Sequence, residues 1–207
     1  MKRKPDADER RRQLCDAAID VLAEHGSRGL THRMVERRAG LPDGTTSSYF
    51  PTRSALLRGI ADRVADLDKA EFESITRDAS AADPPVSTLT LLAELVIRSS
   101  SGSALNRSRA RYELALQANR DRALAGAFER AVRGFVDLSE QALAADSAPP
   151  ADPVLIEKQA YAVTTFINGV MVRLAFGDPT LQSAAELAEL LHALVSGIAA
   201  GQRRAER

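Results

Sequence analysis

The sequence predicts an all-α protein of about nine helices, an N-terminal helix-turn-helix part followed by a helical bundle. Three observations carry that expectation. Ala, Leu and Arg are abundant, while aromatics are only 4% and Trp is absent. That balance suits helices better than a β-sandwich, which draws on β-branched and aromatic residues. Apolar residues recur at helical spacing along most of the chain, and no period-2 stretch bounded by turn signals competes with them. With 207 residues, 44% hydrophobic and 27% charged, the chain has an ordinary globular balance and buries a core without staples.

The elements follow in order. Arg10 to His25 reads as a helix, with Leu14, Ala18, Val21 and Leu22 on one stripe and Gly26 as a stop. Thr31 reads as an N-cap, with Met34, Val35 and Ala39 on one face and Gly40 just past the end. Pro42-Asp43-Gly44 restarts the chain into a short helix from Asp43 to Phe50, and Pro51 breaks it. Arg53 to Arg77 is a longer helix with Leu57, Ile60, Val64 and Leu67 inward. Ala79 to Pro85 reads as a linker. Val86 to Arg98 is helical, Ser99 to Ser103 a loop, and Leu105 to Asn119 and Arg122 to Ala145 two further helices. Asp146 to Pro153, rich in proline, is a break. Val154 to Phe176 is a long apolar helix ended by Gly177-Asp178-Pro179. Thr180 to Ala200 is the last, with Leu187, Leu190, Leu191, Leu194, Val195 and Ile198 on its stripe. No internal repeat is visible.

Charge and composition narrow the function. Lys+Arg and Asp+Glu are 28 each, which excludes a uniformly basic nucleic-acid coat and an acidic disordered tail. Residues 1–55 hold 11 basic and 8 acidic residues, net +3, leaving 17 and 20, net −3, for the rest. The N-terminal part is thus the one suited to a polyanion. One Cys leaves no internal disulfide or Cys-rich zinc site. No apolar run reaches the roughly 18 residues of a bilayer span. The nearest, Ala160 to Val172, is broken by Thr164, Thr165 and Asn168, so no membrane association is expected. The opening MKRKPDADERRR lacks the apolar core of a signal peptide, and a cytoplasmic product is expected.

Residues 31–53 carry the chemistry. Two short helices joined by a tight turn at Gly40 have the form of a helix-turn-helix, whose second helix enters the DNA major groove. Gly44 lets backbone approach a phosphate. Thr45, Thr46, Ser47 and Ser48 offer short hydroxyls to phosphates and base edges. Such a run is poor for helicity, because these side chains compete with the backbone, and that suggests an external use. Tyr49 ends the helix. Thr31, His32, Arg33 and Arg53 lie where phosphates would pass. A plain helical hairpin with a solvated face has the same local pattern.

Residues 10–57 resemble the N-terminal domain of TetR-type, tetracycline-repressor-like, bacterial transcriptional regulators. The resemblance rests on Ala17-Ala18, Leu22, Gly26, Thr31, Val35, Ala39-Gly40-Leu41, Gly44-Thr45, Phe50-Pro51, Arg53 and Leu56-Leu57. It implies a DNA-binding domain over 1–52, a linking helix over 53–77, and ligand binding and dimerisation within 53–207. It implies a homodimer on double-stranded DNA, a repressor released by a small-molecule effector, no cofactor and no enzyme activity. The chain departs from the family's usual pattern at Ser47 (often Tyr), Tyr49 (often His) and Glu36 (usually Ala). The Glu36 carboxylate must turn outward or find a partner.

Elsewhere the signals are thinner. Lys2-Arg3-Lys4 fits a basic arm or a frayed terminus, and Arg10-Arg11-Arg12 a solvated first turn. Cys15 reads as a small buried hydrophobe. Glu189 and His192 have the spacing of a metal-binding helix pair, but three His in all leave no second motif, and no metal site is expected. No nucleophile elbow, P-loop or dinucleotide fingerprint is present. Tyr161, Thr165, Asn168 and Val172 share a face of the long helix. With Tyr112 and Phe135, the first three are the expected lining of an effector pocket. Gly169, Arg173, Leu187, Leu191 and Leu194 are the expected dimer interface, Gly169 because a glycine inside a helix suits a close crossing. The competing functions are a helical protein-interaction module and a metal- or ligand-binding bundle without DNA function.

Overall fold

The computed structural model of the chain describes residues 6–80, 86–119, 121–146, 152–178, 181 and 183–205. Among the described residues there are nine helices and no strand, the all-α class that the sequence predicts. They are α1 (Ala7–Gly29), α2 (His32–Ala39), α3 (Thr45–Tyr49), α4 (Arg53–Ser80), α5 (Thr88–Arg98), α6 (Gly102–Ala118), α7 (Arg122–Asp146), α8 (Pro153–Ala175) and α9 (Ala184–Ala205).

Most ends fall within a turn of the expected ones. The stop at Gly26 is a kink rather than an end: its φ of 63° breaks α1, which resumes to Gly29. The second helix of the motif is only Thr45–Tyr49, because Pro42, Asp43 and Gly44 form the turn. Of the expected linker, Ala79 and Ser80 complete α4, and residues 81–85 lie outside the described residues. Of the proline-rich break, Asp146 ends α7 and Asp152 caps α8, its carboxylate accepting from Val154 N at 3.0 Å; residues 147–151 lie outside the described ones. So do Thr180, expected to open the last helix, and the Lys2-Arg3-Lys4 arm.

The chain packs as two units. The first joins the residues up to Lys69 to Ser101–Arg130; the second joins Ala70–Ser100 to the residues from Ala131 on. The sequence reading placed a boundary between residues 52 and 53. By packing, the first half of α4 and all of α6 go with the N-terminal helices. The reason is a pairing of α6 with α1 between positions far apart in sequence, which no local pattern announces. Ala110 and Leu114 of α6 share a core with Leu14, Ala18, Val21 and Leu22 of α1. Val35, Phe50, Leu56 and Ile60 complete it. Each Val, Leu, Ile or Phe among them, fully buried, contributes about 1.5–3 kcal/mol.

The second unit's core is Leu89, Leu92 and Val96 of α5, Ile156, Val163 and Ile167 of α8, and Leu187 and Leu191 of α9. Leu187 and Leu191 are wholly buried within the chain, so they cannot be the dimer surface expected of them; Leu194 is half-buried at the core's margin. The buried stripe of α8 runs through Ile156, Ala160, Val163, Ile167 and Val170. Tyr161, Thr165 and Asn168 lie off it and are exposed, Tyr161 at 71%. They do not face the core of this unit, where the lining expected of them would point. The Thr165 hydroxyl donates to Tyr161 O at 2.7 Å and that of Thr164 to Ala160 O at 2.8 Å, so their polar hydrogens are spent on the helix itself. Phe135 packs partly on the second core, whereas Tyr112 belongs to the first unit. Burial pushes the Tyr112 phenol above its usual range, with Arg111 opposing.

The expectation that no stretch approaches a bilayer span also needs correction. Ala184–Ala205 is long and apolar enough to cross one by length and composition, with a mean hydropathy of 1.3 over 18 residues, of which 17% are buried. Its many alanines raise the mean without forming a continuous apolar run.

Candidate nucleic-acid interface

Thr31 caps α2: its side-chain oxygen accepts from Met34 N at 3.2 Å. Gly40 closes α2 in the left-handed region, φ 65° and ψ 36°, and Leu41 N donates back to Glu36 O at 2.9 Å. A non-glycine residue there costs roughly 1–2 kcal/mol. Gly44 repeats the device at the head of α3, with φ 86°. Two left-handed glycines four residues apart turn the chain tightly enough to lay α3 across α2.

Glu36 then fixes the angle. Its side chain is buried, and its carboxylate accepts from Thr46 N at 2.8 Å. Of the two outcomes open to it, turning outward or finding a partner, it takes the second. An acid on one helix thus caps the N-terminus of the next, where free N–H groups and the helix dipole both favour negative charge. Thr46 itself is wholly buried, its hydroxyl facing His32 O at 3.4 Å. It has no free surface for a groove, and its expected DNA contact is withdrawn. Thr46 is the wedge that seats α3; a five-residue helix has room for only one such inward position.

The other expected residues remain at the surface. Thr31, Arg33, Gly44, Ser47 and Ser48 are exposed, and His32, Thr45 and Tyr49 are half-buried. The Ser48 and Ser47 hydroxyls donate to Gly44 O at 2.9 and 3.3 Å, and that of Thr45 to Pro42 O at 2.7 Å. Their lone pairs are left as acceptors for base amino groups or for a donor that displaces the internal bond. Arg53 is exposed in part, yet its guanidinium donates to Leu30 O at 2.6 Å and to Ser27 O. It ties down the turn that precedes α2 rather than standing free for a phosphate.

Three residues that sequence reading missed hold the unit to its supports. Gln13 Nε2 donates to Ala39 O at 3.2 Å. Arg38 grips Glu24 of α1 with both nitrogens, one at 2.8 Å, and this holds the Glu24 carboxyl below its usual range. From α6, Glu113 accepts from Ser27 N at 3.0 Å. None of these pairings has a local spacing that the sequence could reveal.

These features define a helix-turn-helix seated on a helical support, with a short exposed second helix. Known proteins agree. Residues 14–60 match the model of the bacterial regulatory proteins of the tetR family, and residues 83–197, more than half of the chain, match that of the tetracyclin repressor-like C-terminal domain. The chain belongs to the tetracycline-repressor family of bacterial regulatory proteins. Over 63 residues it is 40% identical to the HTH-type transcriptional repressor LfrR of Mycolicibacterium smegmatis, a match covering 30% of this chain and 32% of that one. The chain spans between a quarter and a third of the length of the curated relatives it matches. A TetR-family member from Streptomyces coelicolor shares the fold with a TM-score of 0.67 at 26% identity, over 90% of this chain and 98% of that one. The multidrug binding protein EbrR, complexed with ethidium, does so with a TM-score of 0.61 at 25% identity, over 91% and 99%.

Proposed function

We propose that this chain is a sequence-specific, double-stranded-DNA-binding transcriptional regulator, a repressor released from a palindromic operator by a small molecule. One observation carries the reading. The Glu36–Thr46 bond and the wedge of Thr46 spend a buried acid and a buried threonine on holding α3 at a fixed angle, with Ser47 and Ser48 turned outward. That is costly to build for a solvated hairpin and useful for a groove-reading helix. Ser47, Ser48, Thr45 and Tyr49 meet the groove; Gly44, Thr31, His32 and Arg33 meet phosphates; Arg53 acts mainly by holding the turn. The role places the chain with bacterial DNA in the cytoplasm and asks for no catalysis.

The chain works as a homodimer through the outer faces of α8 and α9. Tyr161, Thr165, Gly169 and Leu190 are exposed there, and Phe176 is 84% exposed. A Cβ at Gly169 would meet nothing within 4 Å in the chain, which leaves room for a partner helix. The apolar length of α9 fits this surface better than a bilayer, because its other stripe is already spent in the core. For the effector, the complex of EbrR with ethidium supports a flat aromatic ligand. α4 contributes residues to both units and is the proposed lever.

The test is fluorescence anisotropy with duplexes tiling the region upstream of the chain's own gene. A single tile should bind far more tightly than the others, and replacing Ser47 and Ser48 by Ala should cost that tile about 1–3 kcal/mol per lost base contact while sparing the rest. Equal affinity for all tiles, or loss equal across them, refutes the reading.

A further inference from the structure

A cavity of about 420 Å³ opens within the first unit, lined by Arg11 of α1, Tyr49 and Phe50 at the end of α3, Arg58 and Asp62 of α4, and Arg130 of α7. Its size is that of a small-molecule site. Three guanidiniums face one carboxylate, a lining of +3 and −1, net +2. Among the described residues none of these four charged groups has an ion-pair partner. Other arginines of the same unit do find acids: Arg38 pairs with Glu24, Arg63 with Asp16 at 2.7 Å, and Arg111 with Asp68 at 2.5 Å. Within this lining, then, three guanidiniums gather with one carboxylate and no further acid to balance them.

The floor is aromatic. Arg11 lies over the rings of Tyr49 and Phe50, 5.8 and 5.5 Å from their centroids, so its guanidinium is steadied by ring faces rather than by an acid. Phe50 lies flat on α4 because position 59 is glycine: a Cβ there would come within 2.5 Å of Phe50 Cε1. Ala55 and Ala127 keep the walls low.

We propose that this cavity binds a small organic anion. Its carboxylate is received by Arg58 and Arg130, and its compact apolar body rests between Phe50, Gly59 and Ala127, with Arg11 closing the aromatic side. Guanidinium forks match carboxylates, and charge-assisted bonds of this kind are the strong ones. A DNA phosphate is the poorer occupant, because it makes no use of the aromatic and alanine lining. The proposal does not depend on the DNA-binding reading, although Tyr49 ends α3 and ties occupancy to that helix.

The test is isothermal titration of the full chain with benzoate at low salt, beside its neutral counterpart methyl benzoate. Benzoate should bind saturably at one site per chain, and methyl benzoate should not. Arg58→Ala and Arg130→Ala should each weaken benzoate about tenfold. Asp62→Asn should tighten it severalfold, a gain that a damaged fold cannot produce. Three results overturn the proposal: no saturable binding up to about 10 mM, equal binding of ester and acid, or unchanged affinity in both arginine variants. If the arginine variants instead lose affinity for a random-sequence duplex while wild type ignores benzoate, the arginines serve DNA and the site is not a ligand pocket.

Discussion

At the scale of the residue, Glu36 shows what a sequence does and does not disclose. Its place on α2 marked it as needing a partner; that the partner is the backbone N–H of Thr46 follows only from the crossing of two helices. Removing the acid strands a buried donor at a helix N-terminus, so Glu36→Ala should cost about 1–3 kcal/mol in urea denaturation, and Glu36→Gln, which keeps an acceptor, distinctly less. Equal losses would mean that the carboxylate only fills space. Thr46 was misread for the converse reason: in a run of Thr and Ser of like chemistry, nothing local says which one points inward. Arg53 carries a similar lesson. Because its guanidinium holds the Leu30 and Ser27 carbonyls, Arg53→Ala should lower the free energy of unfolding by about 1–3 kcal/mol, beyond any change in the salt dependence of DNA binding. Cys15 was legible from its apolar stripe. Burial, reinforced by Asp16, pushes its thiol from 9.0 up to about 12. Its neutral form is thus favoured by folding. The stability this gives is complete below pH 9 and declines as the pH rises towards 12, where the unfolded chain ionises first. Iodoacetamide at pH 8 should accordingly label Cys15 only as fast as the chain opens, and labelling at the rate of a free thiol would contradict its burial.

Helices were the most legible level, because apolar spacing and caps act locally. Thr31, Gly40 and Gly44 mark the motif's ends, and the structure puts a cap or a left-handed turn at each. What spacing cannot supply is which of two apolar faces meets a neighbour of the same chain. On α8 the polar face with Tyr161 and Thr165 looks inward on paper but is exposed. On α9, Leu187 and Leu191 look available for a partner but are core. Two substitutions test the account here. Gly40→Ala meets no neighbour within 4 Å yet must hold φ 65°, so it should lose roughly 1–2 kcal/mol, and Gly40→Asn less, by thermal unfolding. Gly169→Leu lies on an exposed helical turn with nothing within 4 Å. In one chain it should leave helicity intact, or raise it slightly by propensity, while a leucine at a close crossing blocks a second copy. Sedimentation at micromolar concentration should then show a monomer where wild type shows a dimer. An undisturbed dimer would place the interface elsewhere.

The whole molecule is where the sequence said least. A boundary at residue 52 follows from where the motif ends, but the packing unit takes in α6 and the start of α7, because Ala110, Leu114 and Leu124 are buried with the N-terminal core. Such pairings are tertiary and leave no periodic trace. Through Glu113 and Gln117, α6 holds Ser27, just before the turn into α2. Two chains joined along α8 and α9 would present two copies of α3, and a two-fold pair of readers requires a two-fold site. The most direct test is selection of binding sites by the full chain from a random-sequence duplex library. The account predicts enrichment of an inverted repeat with half-sites roughly one helical turn, about 10 base pairs, apart, and no such enrichment with Ser47 and Ser48 both changed to Ala. A library that emerges without sequence preference, or a site that the doubly substituted chain selects equally well, would contradict it.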